Sequence, residues 1–388
     1  MKKITTIIIT LFMFLSLSAQ SVSAENFNKI ELNTASSIIT EKIDNIINSK
    51  LEPLLLSMMQ DPSSYGFKDA EISECYIGLP FFITNIQNEN KNASNNIIYF
   101  PMINNKTIVG IVTLVKCDNE YSITVGKDFS KNLNTFIKSS KGVVTLVSTG
   151  GNIIGVDSQG EISYISIFDD NNTKGISDSE LALATQKIAN NNNSFTKDSI
   201  TACFFQPDNK KKTTENNSKS RINADYNRLE HYPLFQGSDG ECWAAAVASM
   251  VDYEKGYCSK GEVYDSIRMT YGEGAQTPDV VDALTNLLGN PYRPTSYYRK
   301  MYNNEIREII DNDDPACMLA VANDNIGHAT ALCGYHLTSY NYNSENWICF
   351  LEPHYECIRT TTITSSNITY SIDGCVFKWS ETVRLMYN

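Results

Sequence analysis

The stretch that most constrains this chain is Gln236-Gly-Ser-Asp-Gly-Glu-Cys242-Trp243-Ala-Ala-Ala-Val-Ala-Ser-Met250. Gly237, Ser238, Asp239 and Gly240 are turn and helix-start residues. From Trp243 to Val251 nearly every residue is small or apolar, and three consecutive alanines favour helix. A helix with so little polar face belongs in the middle of a domain. Cys242 is therefore predicted in the first turn of a buried helix, where unpaired N–H groups and the positive dipole end stabilise a thiolate. Gln236, six residues upstream, can aim its amide at an oxyanion beside the sulfur. A lone cysteine is more often an inert core thiol. The turn, the glutamine and the Cys-Trp helix start together favour a nucleophile.

Downstream, Glu262–Tyr271, Asp279–Leu288 and Asn304–Ile310 read as helices, the second after a Thr277-Pro278 start. Ala316–Ala322 reads as a strand leading to Gly327-His328-Ala329. A further strand, Ala329–Leu337, carries Gly334-Tyr335 near its end. The next, Trp347–Leu351, ends in Glu352-Pro353. His328 follows Cys242 by 86 residues. His231, His336 and His354 compete with it as the base, and all four histidines lie after residue 230.

Gln-x5-Cys-Trp followed by a small-residue helix resembles the nucleophile segment of papain-like cysteine peptidases, and Gly-His-Ala opening a strand resembles their histidine segment. The plan is closest to the secreted bacterial staphopain type, and peptidases that cut bacteriocin leaders share the same core. The resemblance covers the chain from about residue 225 onward. It implies a papain-like α+β domain: an N-terminal buried helix carrying Cys and an antiparallel sheet carrying His. It also implies Cys242 as nucleophile, His328 as base and Gln236 in the oxyanion hole. The family places Asn or Asp at the end of the next strand, where this chain has Glu352. Asn346, just before Trp347, is the alternative, and Glu352 could instead be an exposed strand-end carboxylate. The implied reaction is acyl transfer on protein or peptide substrates, without a cofactor. The same Cys-then-His order occurs in peptidoglycan amidases and in transglutaminases, and a catalytically inactive, papain-shaped binding protein is the non-enzyme alternative.

Before residue 225 the chain reads differently. Met1-Lys2-Lys3, an apolar run from Ile4 to Leu17 and Val22-Ser23-Ala24 form the pattern of a secretory signal peptide over residues 1–24. The apolar run is short for a membrane span, so a secreted mature protein without a span is expected, acting as a monomer. Residues 25–206 read as an α+β domain with an antiparallel sheet. Apolar residues at three- and four-residue steps from Ile39 to Met58 predict a helix that Pro53 kinks or splits. Short β-branched or aromatic runs then predict strands around residues 75–81, 97–100, 107–115, 121–125, 143–148, 153–156 and 162–167. Phe129–Ile137 and Glu180–Ile188 are predicted helices. This part has no histidine and no nucleophile motif. Between a signal peptide and a peptidase it is expected to be a propeptide that inhibits its own enzyme; a retained binding or wall-targeting domain is the alternative. The polar, Lys-rich stretch 207–224 is predicted to be an exposed linker and the place of activating cleavage.

The formal net charge of −12 argues against nucleic acid or anionic membrane as the main partner. Six of the ten cysteines besides Cys242 lie at or beyond Cys258 or in strand-like runs after it. An exported protein permits disulfides among them, with Cys357–Cys375 the first pair to test, though buried free thiols are equally natural. No Cys-x2-Cys pair or His-rich cluster suggests a metal.

Overall fold

The apolar steps of the first helix meet Pro53, and the helix responds there. In the computed structural model a π-helical turn, Ile47–Leu51, runs into the α-helix Glu52–Gln60, with Pro53 in its first turn. Proline has no N–H to donate, and the widened π turn just before it takes up the mismatch: the Glu52 N–H reaches back to Ile47 O. Leu51, Leu54, Leu55 and Met58 are buried.

The structure describes residues 41–85, 96–117, 120–148, 152–167, 195–207, 224–237, 240–322, 326–338, 346–364 and 367–387. The expected signal peptide 1–24, the helix at 180–188 and nearly all of the linker 207–224 lie outside them. Residues 45–388 form one compact unit; of the unit before it, only residues 41–44 are described.

Among the described residues the first half of this unit contributes β1 (Tyr76–Gly78), β2 (Ile83–Asn85), β3 (Ile97–Asn104), β4 (Thr107–Cys117), β5 (Glu120–Gly126), β6 (Val143–Ser148), β7 (Asn152–Asp157), β8 (Ile162–Ile167), β9 (Phe195–Thr196) and β10 (Cys203–Phe205). Helix Ser130–Ser139 follows β5 and buries Leu133, Phe136 and Ile137. Strand β3 continues past Phe100 through Pro101. It can do so because β1 is short: it pairs with Met102 and Ile103, leaving Pro101 paired only to Ile111 of β4.

The second half opens with β11 (Ala224–Arg228) and the helix Cys242–Lys255, then helices Lys260–Ser266, Thr277–Leu288 and Asn303–Asp311. Its remaining strands are β12 (Thr295–Tyr297), β13 (Ala316–Ala322), β14 (Gly327–Thr338), β15 (Trp347–Glu352), β16 (Cys357–Thr362), β17 (Thr369–Ile372) and β18 (Cys375–Arg384). Ile306, Ile309 and Ile310 of the last helix pack into the core beneath the sheet with Leu332, Ile348 and Phe350. Burying each such side chain is worth about 1.5–3 kcal/mol. The fold is α+β with a largely antiparallel sheet, as the sequence predicts.

One sheet runs through both halves. Its order is β10, β1, β3, β4, β5, β16, β15, β14, β13, β18, β12, with β11 added on β14 and β17 on β18. The join is β5 to β16, with Val125 opposite Thr360 and Thr124 opposite Thr361. Hydroxyls cement it: Ser122 Oγ donates to Thr369 O at 2.8 Å, and Thr362 Oγ1 accepts from Ile123 N–H at 2.9 Å. A smaller sheet, β2, β6, β7, β8 with β9 on β6, belongs to the first half.

Candidate active site

The loop before the Cys242 helix is shaped by two glycines at positive φ, Gly237 (+83°) and Gly240 (+82°). A side chain on Gly240 would stand 2.7 Å from the Gly272 carbonyl, so the residue is restricted twice over. The helix then starts at Cys242 without a side-chain cap, which leaves the first-turn N–H groups available near the sulfur. Trp243 anchors the start: its indole donates to Glu273 O at 2.9 Å and its ring meets Tyr264 edge-on. Trp243 to Val251 are buried and Cys242 is half-buried.

Gln236 is fully buried, and neither side-chain atom of its amide has a hydrogen-bond partner among the described residues. Its backbone is held at two points. The N–H donates to Pro353 O at 3.0 Å, next to Glu352, and Lys260 Nζ donates to its carbonyl. Lys260 also pairs with the buried Glu241 carboxylate, to which Tyr271 donates. One ammonium thus ties together both ends of the turn between Gln236 and Cys242.

His328 lies near the start of β14, and Glu352 ends β15. His328 Nε2 and Glu352 Oε1 are 2.8 Å apart, both side chains fully buried. Nε2 is thereby engaged; Nδ1 has no hydrogen-bond partner among the described residues and is the nitrogen left for Cys242, whose negative charge favours the protonated imidazole. Burial disfavours the charged ring, but Glu352 and Cys242 outweigh it, and the His328 pKa is raised to about 10. Burial also works against the Glu352 carboxylate, yet His328, Arg359 and His354 hold its pKa below the usual range. Phe377 and Tyr370 pack against the imidazole, with ring centroids at 5.5 and 6.2 Å, and keep water from the pair.

The structure therefore sets His328 against Glu352, with the Cys242 charge acting on the imidazole, and ties the Gln236 backbone to Pro353, the residue after Glu352. Asn346 is elsewhere. It precedes β15 at the end opposite Glu352, about 20 Å away at the rise of a strand. The other histidines have structural surroundings. His231 is buried against Ser249 O and its pKa is lowered to about 4 by burial. His336 stacks on Trp347 at 3.9 Å. His354 lies against Asp373 and Ser166. None of the ten cysteines forms a disulfide; the Cys357 thiol faces Asp128 instead of Cys375.

Several residues around the site carry no sequence motif. Arg359 of β16 is fully buried, with NH1 3.8 Å from Glu352 Oε2 and donating to Ser371 O at 2.8 Å. Its other side meets Asp128, from the first half, at 3.1 Å. An arginine leading a run of three threonines reads as an exposed strand residue, and only the pairing of β5 with β16 reveals its partner.

No family model matches the sequence, and no curated protein does. Solved structures resemble part of the chain, two of them as follows. One is a double glycine motif protease from an AMS/PCAT transporter in complex with the leader peptide (14% identity, 42% of this chain, 95% of that chain, TM-score 0.27). The other is the peptidase domain of Streptococcus ComA, a bifunctional ABC transporter involved in a quorum sensing pathway (15% identity, 41% of this chain, 100% of that chain, TM-score 0.28). Superpositions of that quality carry no inference about this chain.

Proposed function

We propose that the chain is a cysteine endopeptidase of the papain-like, secreted staphopain type. The observation that carries this reading is a buried His328 held by Glu352 on one nitrogen, with Cys242, at a helix start, acting on the same imidazole. Cys242 gives its proton to His328, and the thiolate attacks the peptide carbonyl. The resulting oxyanion is met by the Gln236 amide, which is buried and without a partner among the described residues, and by the Cys242 backbone N–H. As the C–N bond breaks, His328 protonates the leaving amine. Water then attacks the thioester, losing its proton to His328, and the C–S bond breaks to release the acid. Glu352 keeps the imidazole in one orientation and stabilises its charge.

The test is hydrolysis of casein by the full chain under reducing conditions, with labelling of Cys242 by a peptidyl epoxide. Cleavage of muropeptides but not casein would move the assignment to a peptidoglycan amidase, and amine incorporation would move it to a transglutaminase. Neither turnover nor labelling would leave an inactive binding protein.

The same reading includes export behind residues 1–24 and action as a secreted monomer. Residues 25–206, which hold no histidine, then serve as an inhibitory propeptide released by a cut between residues 207 and 232. A second reading is favoured by the β5–β16 pairing and the buried Asp128–Arg359 pair: the first half stays docked after the cut. Nicking the purified chain in that stretch and sizing the product separates the two. Dissociation with a gain in activity supports the propeptide; co-elution supports the retained partner.

A further inference from the structure

We infer that Asp128, in the first half, is a positioning residue for the Cys242–His328 chemistry, acting through Arg359 on Glu352. This rests on the peptidase reading above.

The contact is built, not incidental. Asp128 follows β5 at a φ of +35°, a conformation that costs a non-glycine residue energy. Two residues earlier, Gly126 has no side chain; one there would stand 2.6 Å from Asp128 Oδ1 and 3.0 Å from Arg359 Cγ. The glycine thus opens the space in which carboxylate and guanidinium meet. They meet twice, Nε to Oδ1 at 3.1 Å and NH2 to Oδ2 at 3.2 Å. Both side chains are almost wholly buried.

Beyond the guanidinium lies Glu352, the carboxylate that holds His328. Glu352 Oε1 accepts from His354 N–H at 3.1 Å and meets His328 Nε2. Its Oε2 has no hydrogen-bond partner among the described residues, and the cation facing it is Arg359. His354 and Asp373 form a separate pair beside this row, 2.8 Å apart, and Tyr355 donates to Asp373 at 2.7 Å. The row His328–Glu352–Arg359–Asp128 therefore alternates in charge. Burial pushes the Asp128 carboxyl up to about 6 against the pull of Arg359, so above that pH it is the anion this row needs.

Asp128 cancels the charge of Arg359. Without it, a buried cation would have Glu352 as its nearest carboxylate. Arg359 would then compete with His328 for Glu352 and oppose a positive imidazole. Fewer molecules would hold the thiolate–imidazolium pair, and the imidazole would lose its proton at lower pH.

The test uses the full-length chain. Asp128→Asn should lower kcat/KM about tenfold and move the alkaline limb of its pH profile down by about one unit or more. Asp128→Glu, which keeps the charge, should retain the wild-type limb. The double variant Asp128→Asn/Arg359→Met removes both charges and should bring the limb back, even where Asp128→Asn alone folds poorly. An NMR titration of the His328 imidazole should show the same shift without requiring turnover. If Asp128→Asn is folded and its alkaline limb and His328 titration match wild type, Asp128 is only structural and the inference fails. The same holds if the double variant folds and its limb stays displaced. If the imidazole shifts as expected but wild type cleaves no peptide, the positioning stands and the peptidase reading falls.

Discussion

His328 and Glu352 are diagonal neighbours across two antiparallel strands. Ala331 of β14 pairs with Leu351 of β15. One step on, Glu352 faces Thr330, and His328 lies two residues further along the same face. A diagonal pair is more widely spaced than a direct one, and the extra methylene of glutamate spans the difference. The longer side chain reaches Nε2 at 2.8 Å, where a directly opposed strand would have crowded it.

That contact sets a pH prediction. With the His328 pKa raised to about 10, the alkaline limb of kcat/KM should lie near pH 10, far above an ordinary imidazole. Glu352→Gln removes the neighbouring charge that raises it, so the limb should fall by more than about one unit, with at least about a tenfold loss in kcat. Glu352→Ala should lose more. Rate profiles from pH 5 to about 11 decide it; an unmoved limb means that another group supports the imidazole.

The same pair contributes to stability. A histidine whose folded pKa is raised binds more protons folded than unfolded. Its contribution is complete below about pH 6.5 and is lost as pH rises through about 10. Glu352, with a lowered pKa, contributes above its ordinary 4.5 and loses that contribution as pH falls through its lower folded value. The stability gap between wild type and Glu352→Gln should therefore be widest between these limits and narrow from pH 6.5 towards 10. Urea unfolding at a series of pH values measures it.

Gln236 should separate activity from stability. An amide buried without a partner costs free energy, so Gln236→Met should leave the melting temperature unchanged or raise it. It should also cost about 10²–10³ in kcat, the range for losing an oxyanion donor. A variant that keeps wild-type kcat would remove Gln236 from the oxyanion hole.

Lys260 should behave in the opposite way. Lys260→Met leaves the buried Glu241 without its cation, a change that costs about 3–5 kcal/mol for a buried pair. It also frees the Gln236 carbonyl. Both stability and kcat should fall, and Lys260→Met/Glu241→Gln should recover stability without recovering kcat. Thermal melts and kinetics of the two variants check this.

Thiol counting tests the cysteines. All ten should react with a thiol reagent in denaturant without prior reduction, and reductant should not change the melting temperature. A Cys357–Cys375 bridge would remove two from the count.

Much of this was legible in the chain because local chemistry decided it. The Cys242 helix, strand β13 and the strand ending at Glu352 all follow from runs of small, apolar or β-branched residues, and the structure places them within a residue or two. Strands β16 to β18 did not show. Cys357–Thr362 mixes arginine with threonines and is nonetheless fully buried, because one of its two partner strands comes from residues more than 200 positions away. Arg359 and Asp128 were invisible for the same reason: an ion pair 231 residues apart in sequence leaves no periodic trace. Asn346 and Glu352 both flank β15 in sequence, and only the register of β14 shows which end His328 occupies.

The seam between β5 and β16 also bears on solubility. While paired, the two strands satisfy each other's N–H and C=O groups. If the halves were pulled apart, each would present an open row of unpaired backbone, flanked on one side by Ile123 and Val125 and on the other by Ile358. Such open strands recruit others. A chain stripped of its first half would then tend to self-associate through β16, and the separated first half through β5, unless each found the other again.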